Sequence, residues 1–275
     1  MALYFATANL AEAQTVVLGV PYDRSSSFLP GCRFAPNQIR LAAENIESYS
    51  PYFNKDVSDL KIYDAGDTIL SFATIKDTLK QIQYAVSTYL KEGKKILVLG
   101  GEHTITLPII TEYIKYYPEL NLIQFDAHSD MRDEYLNEKI CHATVIRRIA
   151  EILRPKNIFQ LGIRSLTGPK ENKNMFLFKT EAYLDQVKKS IGKKPCYLTL
   201  DIDVLDCGIM PAVQTPEPGG ISYHELFASI VKMSSLNIVG CDIVEYNPLT
   251  DSNLAYASAV AEITRELILM MNYKR

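Results

Sequence analysis

Three side chains that can each hold a metal ion stand at every second position in the stretch NLIQFDAHSD: Asp126, His128 and Asp130. The stretch opens as a buried-strand run through Leu122, Ile123 and Phe125. Strands covered on both faces read as short continuous apolar runs rather than as clean alternation. Carboxylates at the end of such a run cost several kcal/mol if nothing neutralises them. A divalent cation would remove that cost. Taken alone, D-x-H-x-D also fits a solvated loop, so the rest of the chain must decide.

Capable residues also follow other apolar runs. Gly100-Gly101-Glu102-His103 comes after 95–99, Asp201-Ile202-Asp203 after 196–200, and Glu245 after 237–244. The set holds two imidazoles (His103, His128) and four carboxylates (Asp126, Asp130, Asp201, Asp203), with no thiolate. That is a harder, more oxygen-rich donor set than structural zinc prefers. Four negative charges balance two divalent cations, and two ions about 3.5–4 Å apart can bridge and ionise one water near neutral pH. Manganese suits the mixed oxygen and nitrogen ligands best, with zinc, nickel or cobalt as alternatives.

These residues need a scaffold that gathers them. Strands are expected at 15–20, 61–65, 95–99, 121–125, 157–162, 175–179, 196–200 and 237–244. Between and after them, helices are expected at 37–48, 74–91, up to 117, 143–153, 181–190, 223–234 and 252–272, Pro36 standing where a helix takes its first residues. Eight strands alternating with helices imply a mostly parallel sheet covered on both faces. Such sheets bind ligands outside the carboxyl ends of their strands, which is where these residues fall.

The 275 residues suit one large α/β domain, 1–275, or two small ones. With 47% hydrophobic and 22% charged residues the chain resembles an ordinary globular protein. A net charge of −3 and the lack of a dense Lys/Arg stripe give no reason to expect nucleic acid. No apolar run reaches membrane-spanning length, and MALYFATANLAEAQ lacks the basic segment and apolar core of a signal peptide. Five scattered cysteines without C-x-x-C fit free thiols in a reducing cytoplasm.

GGEHT, DAHSD, Cys141-His142-Ala143-Thr144, DIDVLD and EYNP occur in the order and approximate spacing of the arginase/agmatinase (ureohydrolase) family. GVPYDRSSSFLPGCRFAPNQIR and TPEPGG resemble its agmatinase branch, so the likeness runs from about Val17 to the last helix. The resemblance implies a three-layer α-β-α fold around an eight-stranded parallel sheet, assembled as homo-trimers or hexamers. It implies hydrolysis of a guanidinium group to urea and an amine by a hydroxide bridging two manganese ions. By position, Asp126 and Asp201 would bridge both ions, His103 and Asp130 would complete one shell, and His128 and Asp203 the other. Asp130 would also orient the hydroxide, His142 resembles the proton-shuttling histidine, and Glu245 the carboxylate that holds the guanidinium.

The chain departs from the family pattern at Glu102, where an Asp is usual, at Ala35 and Gln214, where Gly is common, and in VLDCGIMPAVQ. The last is expected to line the pocket, which bears on the substrate rather than on the reaction. The acidic R-D-x-D run by which arginases hold an α-amine is replaced by Arg164-Ser165-Leu166-Thr167. Agmatine, hydrolysed to putrescine and urea, is therefore the expected substrate, with Asp133 or Glu134 as candidates to attract its ammonium tail. Guanidinobutyrase, arginase and formiminoglutamase activity, or a non-catalytic homologue that binds a partner or guanidino ligand, are the alternatives. His224 reads as a solvent-facing first-turn residue, and Cys141 beside His142 is not read as a thiol hydrolase's pair, which needs an oriented dyad and an oxyanion hole as well.

Overall fold

A computed structural model of the chain describes residues 2–71, 74–170 and 172–273. Its main sheet is built from β1 (Thr15–Gly19), β2 (Ile62–Asp67), β3 (Lys95–Leu99), β4 (Asn121–Phe125), β5 (Ile158–Ile163), β6 (Met175–Leu177), β7 (Pro195–Asp201) and β8 (Asn237–Val244). The strands lie in the order β2-β1-β3-β8-β7-β4-β5-β6. Every neighbouring pair is parallel, so the sheet is wholly rather than mostly parallel.

Burial on both faces explains why the strands read as continuous apolar runs. Along β3, Leu97 and Leu99 pack on one side and Ile96 and Val98 on the other. The first side is covered by α1 (Ala35–Ala43), α5 (Leu184–Ile191), α6 (Tyr223–Met233) and α7 (Ala255–Asn272), through Ile39, Leu184, Leu226 and Leu267. The second is covered by α2 (Ile75–Leu90), α3 (Thr106–Tyr116) and α4 (Val145–Ile152), through Ile82, Ile109 and Ile146. Three layers result.

Local chemistry sets several helix starts. Thr74 caps α2, its side chain accepting from the Asp77 N–H at 3.1 Å, and Ser222 caps α6 from the Glu225 N–H at 3.2 Å. His224 lies exposed in the first turn of α6. The helix expected over 37–48 is shifted: α1 starts at Ala35, two residues before that span, and stops at Ala43. Beyond it the chain turns into a short antiparallel ladder, Tyr49–Ser50 with Lys55–Asp56. Similarly, 3-10 turns occupy His142–Thr144 and Glu181–Tyr183, where helix was expected from 143 and 181.

The strand order matters most for the site. The chain passes from β3 to β4 across a gap that β7 and β8 later fill. The carboxyl ends of β3, β8, β7 and β4 are therefore four neighbours, at a switch point where parallel sheets open a crevice.

Candidate metal centre

All eight residues singled out by their chemistry lie at that crevice or on its wall. Asp130, His142, His128, Asp201, Asp203 and Glu245 line one cleft of about 260 Å³, with His103 and Asp126 buried beside it.

His103 follows β3 in a 3-10 turn and is 1% exposed. Gly101 makes that turn possible, because a Cβ there would stand 1.9 Å from the Tyr22 carbonyl oxygen. The imidazole is oriented from behind. Thr199 Oγ1 donates to Asp242 Oδ1 at 2.6 Å, so its lone pair faces His103 Nε2, 2.9 Å away. Tyr197 and Thr106 also donate to Asp242, each at 3.0 Å. With the Nε2 proton given to Thr199, Nδ1 presents its lone pair to the cleft.

Nδ1 lies 3.1 Å from Asp126 Oδ2, 3.0 Å from Asp130 Oδ2 and 3.3 Å from Asp201 Oδ2. It nonetheless makes no well-directed hydrogen bond among the described residues. A buried nitrogen flanked by three carboxylates, none of them aimed to accept from it, is what a shared cation requires. The second group forms around His128. Its Nδ1 is 2.7 Å from Asp203 Oδ2 and 3.7 Å from Asp126 Oδ1. His103, Asp126 and Asp201 thus form one cluster able to hold an ion, and Asp126, His128 and Asp203 another, with Asp126 common to both. The donor set fits divalent metal ions.

Backbone amides fix the carboxylates. Asp126 Oδ1 accepts from the His128 N–H at 2.5 Å, Asp203 Oδ1 from the Ala127 N–H at 2.9 Å, and Asp201 Oδ1 from the Asp203 N–H at 2.9 Å. A buried amide relay adds to this: Gln160 donates to Gln124 at 2.8 Å, and Gln124 to Asp126 Oδ2 at 2.6 Å. Asp130 and Glu245 both hold left-handed backbone, at φ of 52° and 68°. For residues with a Cβ this costs about 1–3 kcal/mol and gathers at functional sites.

The charges strain against one another. Burial pushes Asp201 well above the usual carboxylate range, aided by the Asp203 and Asp126 charges, and pushes Asp130 up to about 6. Burial acts the same way on Asp126, but the neighbouring His103 and His128 rings outweigh it and hold that carboxyl down.

Glu245 and His142 flank the clusters. Glu245 Oε1 accepts from the His103 N–H at 2.7 Å, and Oε2 accepts from Gln214 Nε2 at 2.8 Å and from Cys32 Sγ at 3.5 Å. Burial, then the Glu102 charge, pushes this carboxyl up to about 8. His142 sits between two serines, Nδ1 3.1 Å from Ser25 Oγ and Nε2 3.3 Å from Ser27 Oγ. Ser25 Oγ donates to Glu102 Oε1 at 2.6 Å, so it accepts from His142 Nδ1, and Nε2 keeps its lone pair. Burial, then the neighbouring His128 and His103 rings, pushes His142 down to about 4.

Several contributors escape sequence reasoning. Ser25 and Ser27 fall in a polar loop, and Gln214 and Glu102 register only as departures from a pattern. In the structure those two departures pin the serine loop: Glu102 accepts from the Ser25 N–H at 2.7 Å, and Gln214 from the Ser27 N–H at 3.0 Å. Gln124 and Gln160 could have been flagged as amides inside buried strands. Asp133 and Glu134, considered for an ammonium tail, do not line the cleft. Asp133 is exposed and paired with Arg147 Nε at 2.8 Å, and the cleft's outer acid is instead Glu217.

The model of the arginase family matches residues 13–270. The chain belongs to the arginase family. An agmatinase of Bacillus subtilis (strain 168) is 39% identical over 267 residues, covering 94% of this chain and 92% of that protein. Among solved structures, the agmatine ureohydrolase of Thermoplasma volcanium superposes with a TM-score of 0.87 at 30% identity, over 98% of this chain and 94% of that one. The proclavaminate amidino hydrolase of Streptomyces clavuligerus gives 0.85 at 27% identity, over 94% and 92%. The chain is thus an agmatinase-like member of a family of metal-dependent ureohydrolases, and its eight-stranded sheet is the arginase fold. No helix among the described residues is long and apolar enough to cross a membrane.

Proposed function

We propose that this arginase-family hydrolase cleaves agmatine to putrescine and urea with two divalent ions, manganese by ligand type. The observation that carries the reading is the orphaned His103 Nδ1, ringed by Asp126, Asp130 and Asp201 and adjoined by the His128–Asp203 cluster that shares Asp126. Agmatinase relatives support the substrate. In this reading Asp126 and Asp201 serve both ions, His103 and Asp130 complete one shell, and His128 and Asp203 the other. When bound, the ions supply Lewis acidity and ionise a water near neutral pH.

The chain's own residues do the rest. A guanidinium carbon is a poor electrophile because resonance spreads its charge, so position counts heavily. Glu245 takes paired N–H groups of the guanidinium on its carboxylate, with the weak Cys32 thiol donor giving way at Oε2, and this relieves its own buried charge. Asp130 accepts a hydrogen bond from the attacking oxygen and so turns its lone pair toward the carbon. His142, neutral and with Nε2 turned to the cleft, takes up the proton that the attacking water gives up and delivers it to the leaving amine. Ser25 and Ser27 hold its ring.

A cytoplasmic homo-oligomer, trimer or hexamer, belongs to the same proposal. Ile69 and Tyr84, 92% and 74% exposed in one groove beside α2, support an assembly face.

The test is hydrolysis by manganese-loaded protein, read as urea release from agmatine, arginine and 4-guanidinobutyrate and as formamide release from N-formimino-glutamate. Agmatine should lead arginine in kcat/KM by about 10²-fold, the scale of a mismatched buried charge. Equal turnover of arginine would refute the substrate, and neither urea nor formamide from any of the four would refute the hydrolase.

A further inference from the structure

We propose that Glu217 is the specificity-determining residue for the far end of the substrate, its carboxylate receiving the ammonium of a guanidino compound that ends in a free amine. The proposal rests on the agmatinase reading and names the residue that selects within it.

Among the described carboxylates lining the cleft, Asp201 and Asp203 belong to the ligand clusters, Asp130 adjoins them beside His103, and Glu245 is the carboxylate assigned to the guanidinium. Glu217 is left over. It stands at the rim, its side chain 33% exposed, whereas Glu245 is buried. Its Oε1 lies 3.5 Å from His128 Nε2, on the outer edge of the ring whose Nδ1 faces Asp203. One imidazole therefore separates Glu217 from the ligand cluster. A linear substrate with its guanidinium on Glu245 and its chain leaving through the cleft would carry a terminal cation toward that rim.

The backbone beneath Glu217 is fixed with unusual care for a rim residue. Arg164 Nη2 donates to the Glu217 carbonyl at 2.9 Å and to the Asp203 carbonyl at 2.8 Å, and Arg164 Nε donates to the Pro218 carbonyl at 2.9 Å. One guanidinium thus ties the Glu217 loop to the turn that carries a metal-ligand candidate. Asp206 Oδ2 accepts from the Gly219 and Gly220 N–H groups at 2.6 and 3.0 Å. Pro216 and Pro218 restrict the chain on both sides. The carboxylate itself, by contrast, accepts no hydrogen bond from the described residues, its nearest donor being His128 at 3.5 Å. A held backbone under an unspent acceptor suits a ligand.

Arg132 lines the same cleft and carries the opposite charge. It is exposed, with its guanidinium 5.0 Å from the Tyr135 ring centre, so water and the ring screen it. Tail charge is therefore the variable that separates the two residues.

The experiment compares metal-loaded wild type and Glu217→Gln on agmatine and 4-guanidinobutyrate, with metal content by elemental analysis. Calorimetric binding of 1,4-diaminobutane, which has the ammonium tail but no guanidinium, gives a readout independent of turnover. Glu217→Gln should lose about 10- to 100-fold in kcat/KM for agmatine, chiefly through KM, the scale of one charge-assisted hydrogen bond. Metal content should hold, 4-guanidinobutyrate should be unchanged or improved, and diamine binding should weaken by a like factor. An equal loss on both substrates together with metal loss would overturn the proposal, making Glu217 a support for His128. An unchanged agmatine to 4-guanidinobutyrate ratio, or a wild type that prefers 4-guanidinobutyrate, would overturn it too. If wild type releases no urea but diamine binding still depends on Glu217, the hydrolase reading fails and the tail site stands.

Discussion

Two clusters of buried charge sit in this protein, and they are built on opposite plans. Between α1 and β2, Arg40 meets Asp64 and Asp67 at 1% side-chain exposure. Its Nε and Nη2 donate to the two Asp64 oxygens at 2.9 Å each, and Nη1 to Asp67 at 2.5 Å. The Leu3 and Gly66 N–H groups complete Asp64 at 2.8 and 2.9 Å. In this cluster each carboxylate meets the Arg40 cation, and Asp67, the second of them, is partly open to water. At the crevice, four aspartates converge on two imidazoles, no Arg or Lys joins them among the described residues, and one ring nitrogen is left unpaired. Buried charge that serves structure brings its own counter-charge, whereas buried charge that serves a ligand leaves that place open.

The difference can be broken from either side. The largest effect is expected at His142, beside the open cluster but outside it. His142→Asn should keep both metals and lose roughly 10²–10⁴-fold in kcat, the usual scale for a general acid or base. Steady-state rates with elemental analysis check this, and metal loss in the variant would make His142 a ligand.

Next is the closed cluster. Arg40→Leu strands Asp64 without its cation and should cost about 3–5 kcal/mol of stability, read from denaturant unfolding. A loss below about 1 kcal/mol would mean that the pair does not hold the fold. Removing a charge from the open cluster should act with the opposite sign in metal-free protein. Burial and the Asp203 and Asp126 charges already oppose ionisation of Asp201. Asp201→Asn should therefore leave the Tm of metal-free protein unchanged or raised, while reducing the gain that metal gives to wild type. A clear fall in the metal-free Tm would show that Asp201 pairs internally.

The smallest effect is expected behind His103. Thr199→Val removes the acceptor for Nε2 and should weaken metal binding about 10- to 100-fold without removing a ligand. Unchanged affinity would show that packing alone sets the ring.

What was legible in the sequence is what is local along the chain. DAHSD carries its own strand end and its own alternation, and the Asp126 to His128 N–H bond spans two residues. The runs at 95–99 and 121–125 match β3 and β4, because strands buried on both faces leave an uninterrupted apolar signature. What periodicity does not carry is strand order. That β7 and β8 fill the gap between β3 and β4 decides that Gln214 meets Ser27 and that Ser25 meets His142. Ser25 and Ser27 therefore read only as a polar loop, and Glu217 only as an acid between prolines. Arg164, read for the motif it lacks, proves to be a clamp on carbonyls from three segments. The end of α1 at Ala43 was missed because the short ladder at 49–56, rather than any breaker residue, takes the chain away.

The central claim is that the open cluster holds two ions sharing Asp126. The most direct measurement is a manganese titration of metal-stripped protein, wild type beside Asp126→Asn, with bound metal counted per chain and urea release from agmatine followed in parallel. Wild type should saturate at two ions and gain activity with them, while Asp126→Asn should lose occupancy of both and fall in rate by about 10³-fold or more, several kcal/mol of lost charge stabilisation. Two ions and full activity in Asp126→Asn, or a wild type that saturates at one, would contradict the account.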